Sequence, residues 1–199
     1  MGQLIPKIIH QIWLGKRPIP TQIQSYMQSW KTYHPDWQFI LWTDENLIPL
    51  QNQDLYNQVE DLRQKADIVR YEVLYQYGGV YVDIDMECFK NIEPLLQEGE
   101  FFVGTEDDFY LSNELMAVTK KHDLIKELLD GVKYSLSNDE NKSIDEQTGP
   151  IFMTKYLLWM PQVTVAEQQL LYPTPEQLKK ADSPFYTVHR AKCCKQLFK

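Results

Sequence analysis

The sequence predicts an α/β fold, a mainly parallel central sheet flanked by helices, and three observations carry that expectation. Short runs of β-forming residues are separated by stretches of helical period, the pattern of βαβ units. The clearest helical stretch runs directly into a glycine pair and then an apolar strand. At 199 residues, 43% hydrophobic and 24% charged, the chain suits one globular domain spanning 1–199, with 186–199 as a basic tail.

In order, "PKIIHQIWL" reads as a first strand, closed by Gly15 and the loop "GKRPIP". Thr21 is the expected N-cap of a helix reaching Tyr33, with Ile23, Met27 and Trp30 on one face. "HPDW" breaks it and "QFILW" follows as a second strand. From Val59 to Tyr77 the residues Leu62, Ala66, Val69, Val73 and Tyr77 keep helical spacing, and Gly78 and Gly79 end the helix. The strand "VYVDID" comes next, and "EFFVGT" is a further short strand. A helix is expected from Asp123 to Leu136, then a polar loop "SNDENKS", then a helix opening at "GPIFMTKYLLWM".

Composition excludes several classes. A net charge of −8 argues against a nucleic-acid surface. No apolar run approaches the ~20 residues that span a bilayer, and "MGQLIPKIIHQIWLGKR" is too interrupted for a signal peptide. Pro6 stands where N-myristoylation asks for Ser or Thr. Cys88, Cys193 and Cys194 form no disulfide framework and no zinc spacing, so a cytoplasmic chain with reduced thiols is expected. Arg190, Lys192, Lys195 and Lys199 allow a weak peripheral membrane contact; a solvated tail is the plainer reading.

Asp83 and Asp85 interrupt an otherwise apolar strand. Residues two apart share a face, so both carboxylates aim together while Ile84 turns to the core. They repel unless a cation lies between them, and Mg²⁺ or Mn²⁺ takes carboxylate oxygens while keeping positions for phosphate. A bare D-x-D is also what a strand exit into solvent looks like. On the preceding helix Asp67 and Arg70 lie at i and i+3. They read either as a surface ion pair or as groups placed for sugar hydroxyls and phosphate, and the pair alone leaves both open. Haloacid-dehalogenase-type phosphatases want Thr or Val where Glu87 stands. Polymerase-β-type nucleotidyltransferases want a longer gap than that between Gly79 and Asp83. Sugar-nucleotide transfer fits the spacing.

The blocks "IPKIIHQIWLG", "SWKTYHPDWQFILWTDEN", "ADIVRYEVLYQYGGVYVDIDMEC", "SNELMAV" and "TGPIFMT", over residues 5–155, resemble the D-x-D glycosyltransferases. That family includes the yeast initiating α-1,6-mannosyltransferase and bacterial capsular-polysaccharide transferases, with clostridial glucosylating toxin cores as distant relatives. The resemblance implies a GT-A fold, a UDP- or GDP-sugar donor, a glycan or lipid-linked acceptor, and Mn²⁺ or Mg²⁺. It also implies retention of configuration and a role in surface polysaccharide synthesis. By the same resemblance, Trp13 stacks on the donor base, Leu62 lies beside the nucleoside, and Asp67, Arg70 and Tyr81 contact the donor. Asp83 meets ribose and the metal shell, Asp85 ligates the metal, and Asn113 lies near the reacting sugar, although it is equally a possible helix cap. Thr148, Gly149 and Pro150 match a cleft-lining turn, and His189 matches a residue completing the metal site. No free Asp or Glu stands out as a covalent nucleophile, so front-side displacement is expected. Cys193 and Cys194 replace the family's Ser-Trp pair, which keeps an alternative in view: a sugar-nucleotide-binding protein weakened in catalysis.

Overall fold

The computed structural model describes residues 4–97, 99–107, 109–138, 142–180 and 182–190. The first half contains β1 (Ile8–Ile12), α1 (Thr21–Tyr33), β2 (Gln38–Trp42), α2 (Gln53–Gln58), α3 (Leu62–Tyr77), β3 (Gly79–Val82) and β4 (Met86–Cys88). A 3-10 turn (Glu93–Leu96), β5 (Phe101–Thr105), β6 (Leu111–Val118) and α4 (Asp123–Asn138) follow. The remainder is α5 (Ile144–Gln147), α6 (Pro150–Leu157), β7 (Val163–Val165), α7 (Gln168–Leu171), α8 (Pro175–Leu178) and β8 (Thr187–His189).

The central sheet has the order β2-β1-β3-β6-β5-β7, with β6 alone running against its neighbours, so the expected mainly parallel α/β sheet is present. Strand alternation builds a core on each face. Tyr81, Met116, Val118, Phe101 and Val103 pack with Ile68, Tyr71 and Leu74 of α3 and with Ile125 and Leu128 of α4. Val80, Val82, Leu115, Ala117 and Phe102 pack on the other face with Trp30 and Trp37. A second, two-stranded ladder pairs β4 with β8.

The join from α3 to β3 demands glycine. Gly78 and Gly79 have φ of 65° and 95°, and a Cβ would stand 2.6 Å from Lys120 N and 2.7 Å from Ile8 O respectively. His10 holds this join from β1. The Trp42 indole donates to His10 Nδ1 (3.1 Å), so the ring proton is on Nε2, which donates to the Gly78 carbonyl (2.8 Å). Burial depresses the His10 pKa to about 4, against the smaller opposing effect of the Gly78 bond, and the ring stays neutral.

Several local expectations are corrected. Thr21 is the first helical residue; Pro20 occupies the N-cap position and makes no side-chain cap bond. α3 starts at Leu62 because the Asp61 carboxylate accepts from Arg63 N (2.8 Å), while Val59 belongs to the end of α2. Asn113 lies in β6, a strand that sequence reasoning missed, and is no helix cap. β3 ends at Val82, so D-x-D is not strand. Asp83 N makes a last bond to Glu114 O (2.8 Å), then Met86 N bonds Asp83 O (3.0 Å) and closes a turn into β4. Two carboxylates cannot continue into a buried ladder, and the chain leaves the sheet where they begin. Ile84 does turn inward, onto Ile23 and Tyr26 of α1. Residues 187–189 of the expected tail form β8, and Arg190 is no free cation: its guanidinium pairs with Glu87 at 2.8 Å. Lys192, Cys193, Cys194, Lys195 and Lys199 lie outside the described residues. Among the described residues no helix is long and apolar enough to cross a membrane.

Candidate functional site

The C-terminal ends of β1 and β3 and the start of the reversed strand β6 meet at one edge of the sheet, where open α/β sheets bind ligands. Two side-chain clusters adjoin there.

The first centres on Asp67 and Arg70. One helical turn apart on α3, they pair at 3.1 Å with both side chains only 7% exposed, so this is no surface ion pair. Asn113 Nδ2 donates to Asp67 Oδ1 (2.9 Å) and Thr148 Oγ1 to Asp67 Oδ2 (2.8 Å). The Arg70 guanidinium also donates to the Asn113 carbonyl, reaches Asp83 Oδ1 at 3.4 Å, and stacks over the Tyr81 ring at 4.4 Å. Tyr81 OH donates to Asp83 Oδ1 (2.6 Å), and Tyr71 OH to the Thr148 carbonyl (2.7 Å). Burial raises the Asp67 pKa to about 6, with Arg70, Thr148 and Asn113 opposing it. Burial works against the Arg70 charge, yet Tyr81, Asp83 and Asp67 outweigh it and the pKa rises.

The second cluster surrounds Asp85. The β4–β8 register brings His189 opposite Met86, with His189 Nε2 3.5 Å from Asp85 Oδ2. His189 Nδ1 stands 3.2 Å from Glu114 Oε2 and 3.5 Å from Glu106 Oε1. These separations are ion pairs, but Nδ1 is buried and makes no aligned hydrogen bond. Burial alone lowers the His189 pKa, but Asp85, Glu106 and Glu114 together overcome it and hold the ring as imidazolium, up to about 11. Burial raises Glu114 to about 7, with Asp83 and Glu106 adding repulsion and His189 opposing. Asp83 is likewise raised by burial and then by Asp85, with Arg70 pulling the other way.

Glu106, Glu114 and His189 offer donor atoms within 4.8 Å of one another, next to Asp85. Carboxylate oxygens and an imidazole nitrogen suit Mg²⁺ or Mn²⁺. The excess of carboxylates around one imidazole fits a site that receives a cation. Glu106 and Glu114 were missed by sequence reasoning. The signal for Glu114 was present as a charge inside "LSNELMAV", but it is informative only once that segment is known to be a buried strand.

The remaining candidates lie at the margin. Trp13 is half-buried, donates Nε1–H to the Arg17 carbonyl (2.7 Å), and packs on the group that holds Ile84 of D-x-D. Leu62, at the start of α3, is 47% exposed, and its Cδ1 lies 2.9 Å from where a Cβ on Gly15 of the β1–α1 loop would stand. Gly149 and Pro150 open α6, so the "TGP" turn carries Thr148 to Asp67.

Comparison with known proteins bears on the family and the fold. Residues 20–102 match the glycosyltransferase sugar-binding region containing DXD motif. Inositol phosphoceramide mannosyltransferase 1 of Schizosaccharomyces pombe is 33% identical over 173 residues, 77% of this chain and 53% of that protein. The initiation-specific alpha-1,6-mannosyltransferase of Candida albicans is 31% identical over 111 residues, 49% of this chain and 29% of that protein. The chain spans about half the length of the first curated relatives it matches. Among solved structures the PaToxG glycosyltransferase superposes with a TM-score of 0.70 at 23% identity, over 78% of this chain and 69% of that one, which supports the GT-A fold. With the D-x-D turn at the sheet edge, the matched region around it and mannosyltransferases among its relatives, the chain belongs to the DXD-containing glycosyltransferase family.

Proposed function

We propose that this chain transfers a hexose, mannose before others, from a UDP- or GDP-sugar to a hydroxyl of a glycan or lipid-linked acceptor. The convergence of Asp67, Arg70, Asn113 and Asp83 beside Asp85 carries the reading. Mannose is suggested by the names of the relatives. An acceptor in surface polysaccharide synthesis and one carried on a lipid headgroup are both hydroxyl acceptors for the same site, and a lipid-linked one puts the chain at a membrane surface.

D-x-D glycosyltransferases generally depend on a divalent cation, and Asp85, Asp83 and His189 are the groups proposed to hold Mn²⁺ or Mg²⁺, which supplies Lewis-acid stabilisation of the departing diphosphate. Arg70, held by Asp67 and the Asn113 carbonyl, presents a fixed positive charge without reorganisation. Asp67 and Asn113 orient donor-sugar hydroxyls, Tyr81 keeps Asp83 in place, and Trp13 and Leu62 lie on the nucleoside side. Asp67 is tied to Arg70, Asn113 and Thr148 and is unsuited to act as a free nucleophile, which favours front-side displacement with retention.

The test is diphosphate release from a panel of UDP- and GDP-sugars, with and without Mn²⁺, for wild type and Asp85→Ala. Metal-dependent release from one donor, absent in the variant, is expected. Donor binding without release, even with glycan and lipid-linked acceptors supplied, would replace transfer by a sugar-nucleotide-binding role.

A further inference from the structure

A directed chain of side chains, beginning at Tyr172 and Ser112, which have no role so far, leads to Glu114 and His189. Tyr172, at the C-terminal end of α7, is buried and donates its hydroxyl proton to Ser112 Oγ (2.9 Å). Ser112 in turn donates to Glu114 Oε2 (3.0 Å), the same oxygen that stands 3.2 Å from His189 Nδ1. The Tyr172 ring also meets the His189 ring edge-on, with centroids 6.3 Å apart. Each hydroxyl has one proton, so the polarity runs one way, from Tyr172 through Ser112 to the carboxylate. Glu114 receives the Ser112 hydroxyl proton and is left with acceptor capacity toward Nδ1. Its main chain is committed as well, since its carbonyl accepts from Asp83 N (2.8 Å).

We infer that Glu114 is a positioning residue: its carboxylate, 3.2 Å from His189 Nδ1, holds that side of the ring and so keeps Nε2 turned toward Asp85 and the cation. The partner on one ring nitrogen of a metal-binding histidine orients the other nitrogen. Tyr172 and Ser112 hold the carboxylate in register, and Glu106, 59% exposed, is a looser second carboxylate on the same nitrogen. β6 therefore serves twice: its main chain anchors Asp83, and its Glu114 side chain aims the histidine brought by β8. The inference rests on the proposed reading of Asp85 and His189 as cation ligands.

The test measures binding of Mn²⁺, alone and with UDP, by electron paramagnetic resonance on folded variants, independently of turnover. Glu114→Gln is expected to weaken Mn²⁺ by about 10–100-fold, the usual cost of losing such a partner, with Glu114→Asp recovering part of it. In a His189→Ala background the same change is expected to add less than about twofold, because a residue acting through another is non-additive with it. Full additivity would make Glu114 a ligand or a purely structural residue and overturn the inference; so would unchanged Mn²⁺ binding in Glu114→Gln. If Glu114→Gln does not fold, Ser112→Ala and Tyr172→Phe carry the test, with a several-fold loss expected and none overturning it. Asp85→Ala separates the two readings. If it leaves Mn²⁺ binding intact, the cation site itself is wrong and the inference falls with it. If it abolishes binding while Glu114→Gln is silent, only the positioning role falls.

Discussion

The two clusters at the sheet edge solve opposite electrostatic problems. Around Asp67 each carboxylate oxygen has a hydroxyl or amide donor and the charge is answered by Arg70. Around Asp85 one imidazolium faces Asp85, Glu106 and Glu114, with Asp83 adding to the field. A buried charge is tolerated when its partners are supplied in advance, and an acid excess is tolerated where a cation is to be received. The first cluster thus balances its own charges, whereas on the proposed reading the second is balanced by a cation. Two buried histidines differ in the same sense: His10, at the join of α3 and β3, is kept neutral, and His189 is kept charged.

Removing Arg70 should be the most damaging single change. Arg70→Met leaves Asp67 and Asp83 without their guanidinium, and breaking a buried pair on one side costs about 3–5 kcal/mol. Denaturant unfolding should show that loss, and Asp67→Asn/Arg70→Met should recover part of it. If Arg70→Met is neutral, the first cluster is not a self-sufficient unit.

pH separates the histidines. His10 has a folded pKa of about 4 against 6.5 unfolded, so its neutral form favours folding above pH 6.5, and that contribution is lost as pH falls from 6.5 toward 4. The full span is worth on the order of 3 kcal/mol, and His10→Gln should flatten the decline by a comparable amount. His189 has the opposite sign. Its folded pKa, about 11, lies above 6.5, so its charged form stabilises fully below pH 6.5 and loses that effect as pH rises toward 11. His189→Gln should therefore cost most stability in acid and least in alkali in chelator-treated protein. Asp67 and Glu114, both raised, make the native state bind protons early and add stability as pH falls through 6 to 7, so only wild-type-minus-variant differences isolate each histidine.

Cation loading should act on one cluster only. Mn²⁺ at a hundred times its dissociation constant should stabilise wild type by about 2.7 kcal/mol, and EDTA should reverse the effect. Arg70→Met should retain the increment while Asp85→Ala loses it. A response that vanishes equally in both variants would mean the two clusters are one.

How legible these clusters were follows from how local their parts are. Asp67, Arg70, the glycine pair and Asp83-x-Asp85 lie within one helix–turn–strand unit, and their spacing could be read directly. Glu114 and Glu106 were not legible, because their neighbours come from β8 and β3 through pairings no short-range pattern encodes. "LSNELMAV" also mixes helix formers with apolar residues, which hid the strand that separates β3 from β5. The D-x-D pair was placed in a strand because apolar alternation continues through Ile84; what ends the ladder is the cost of burying both carboxylates.

Trp13 gives the smallest expected effect and the finest test of the division. It belongs to neither cluster, yet it packs against the group holding Ile84, between the two aspartates. Trp13→Phe keeps an aromatic face but gives up the Nε1–H bond to the Arg17 carbonyl, a loss of about 1 kcal/mol in the order of the loop. If Trp13 acts on the base, donor KM should rise about fivefold with Mn²⁺ affinity and turnover unchanged, and Trp13→Ala should raise it further without touching the metal. A parallel loss of Mn²⁺ affinity would mean that Ile84 transmits the loop's position to Asp83 and Asp85, and that the metal cluster is held in shape from the nucleoside side as well.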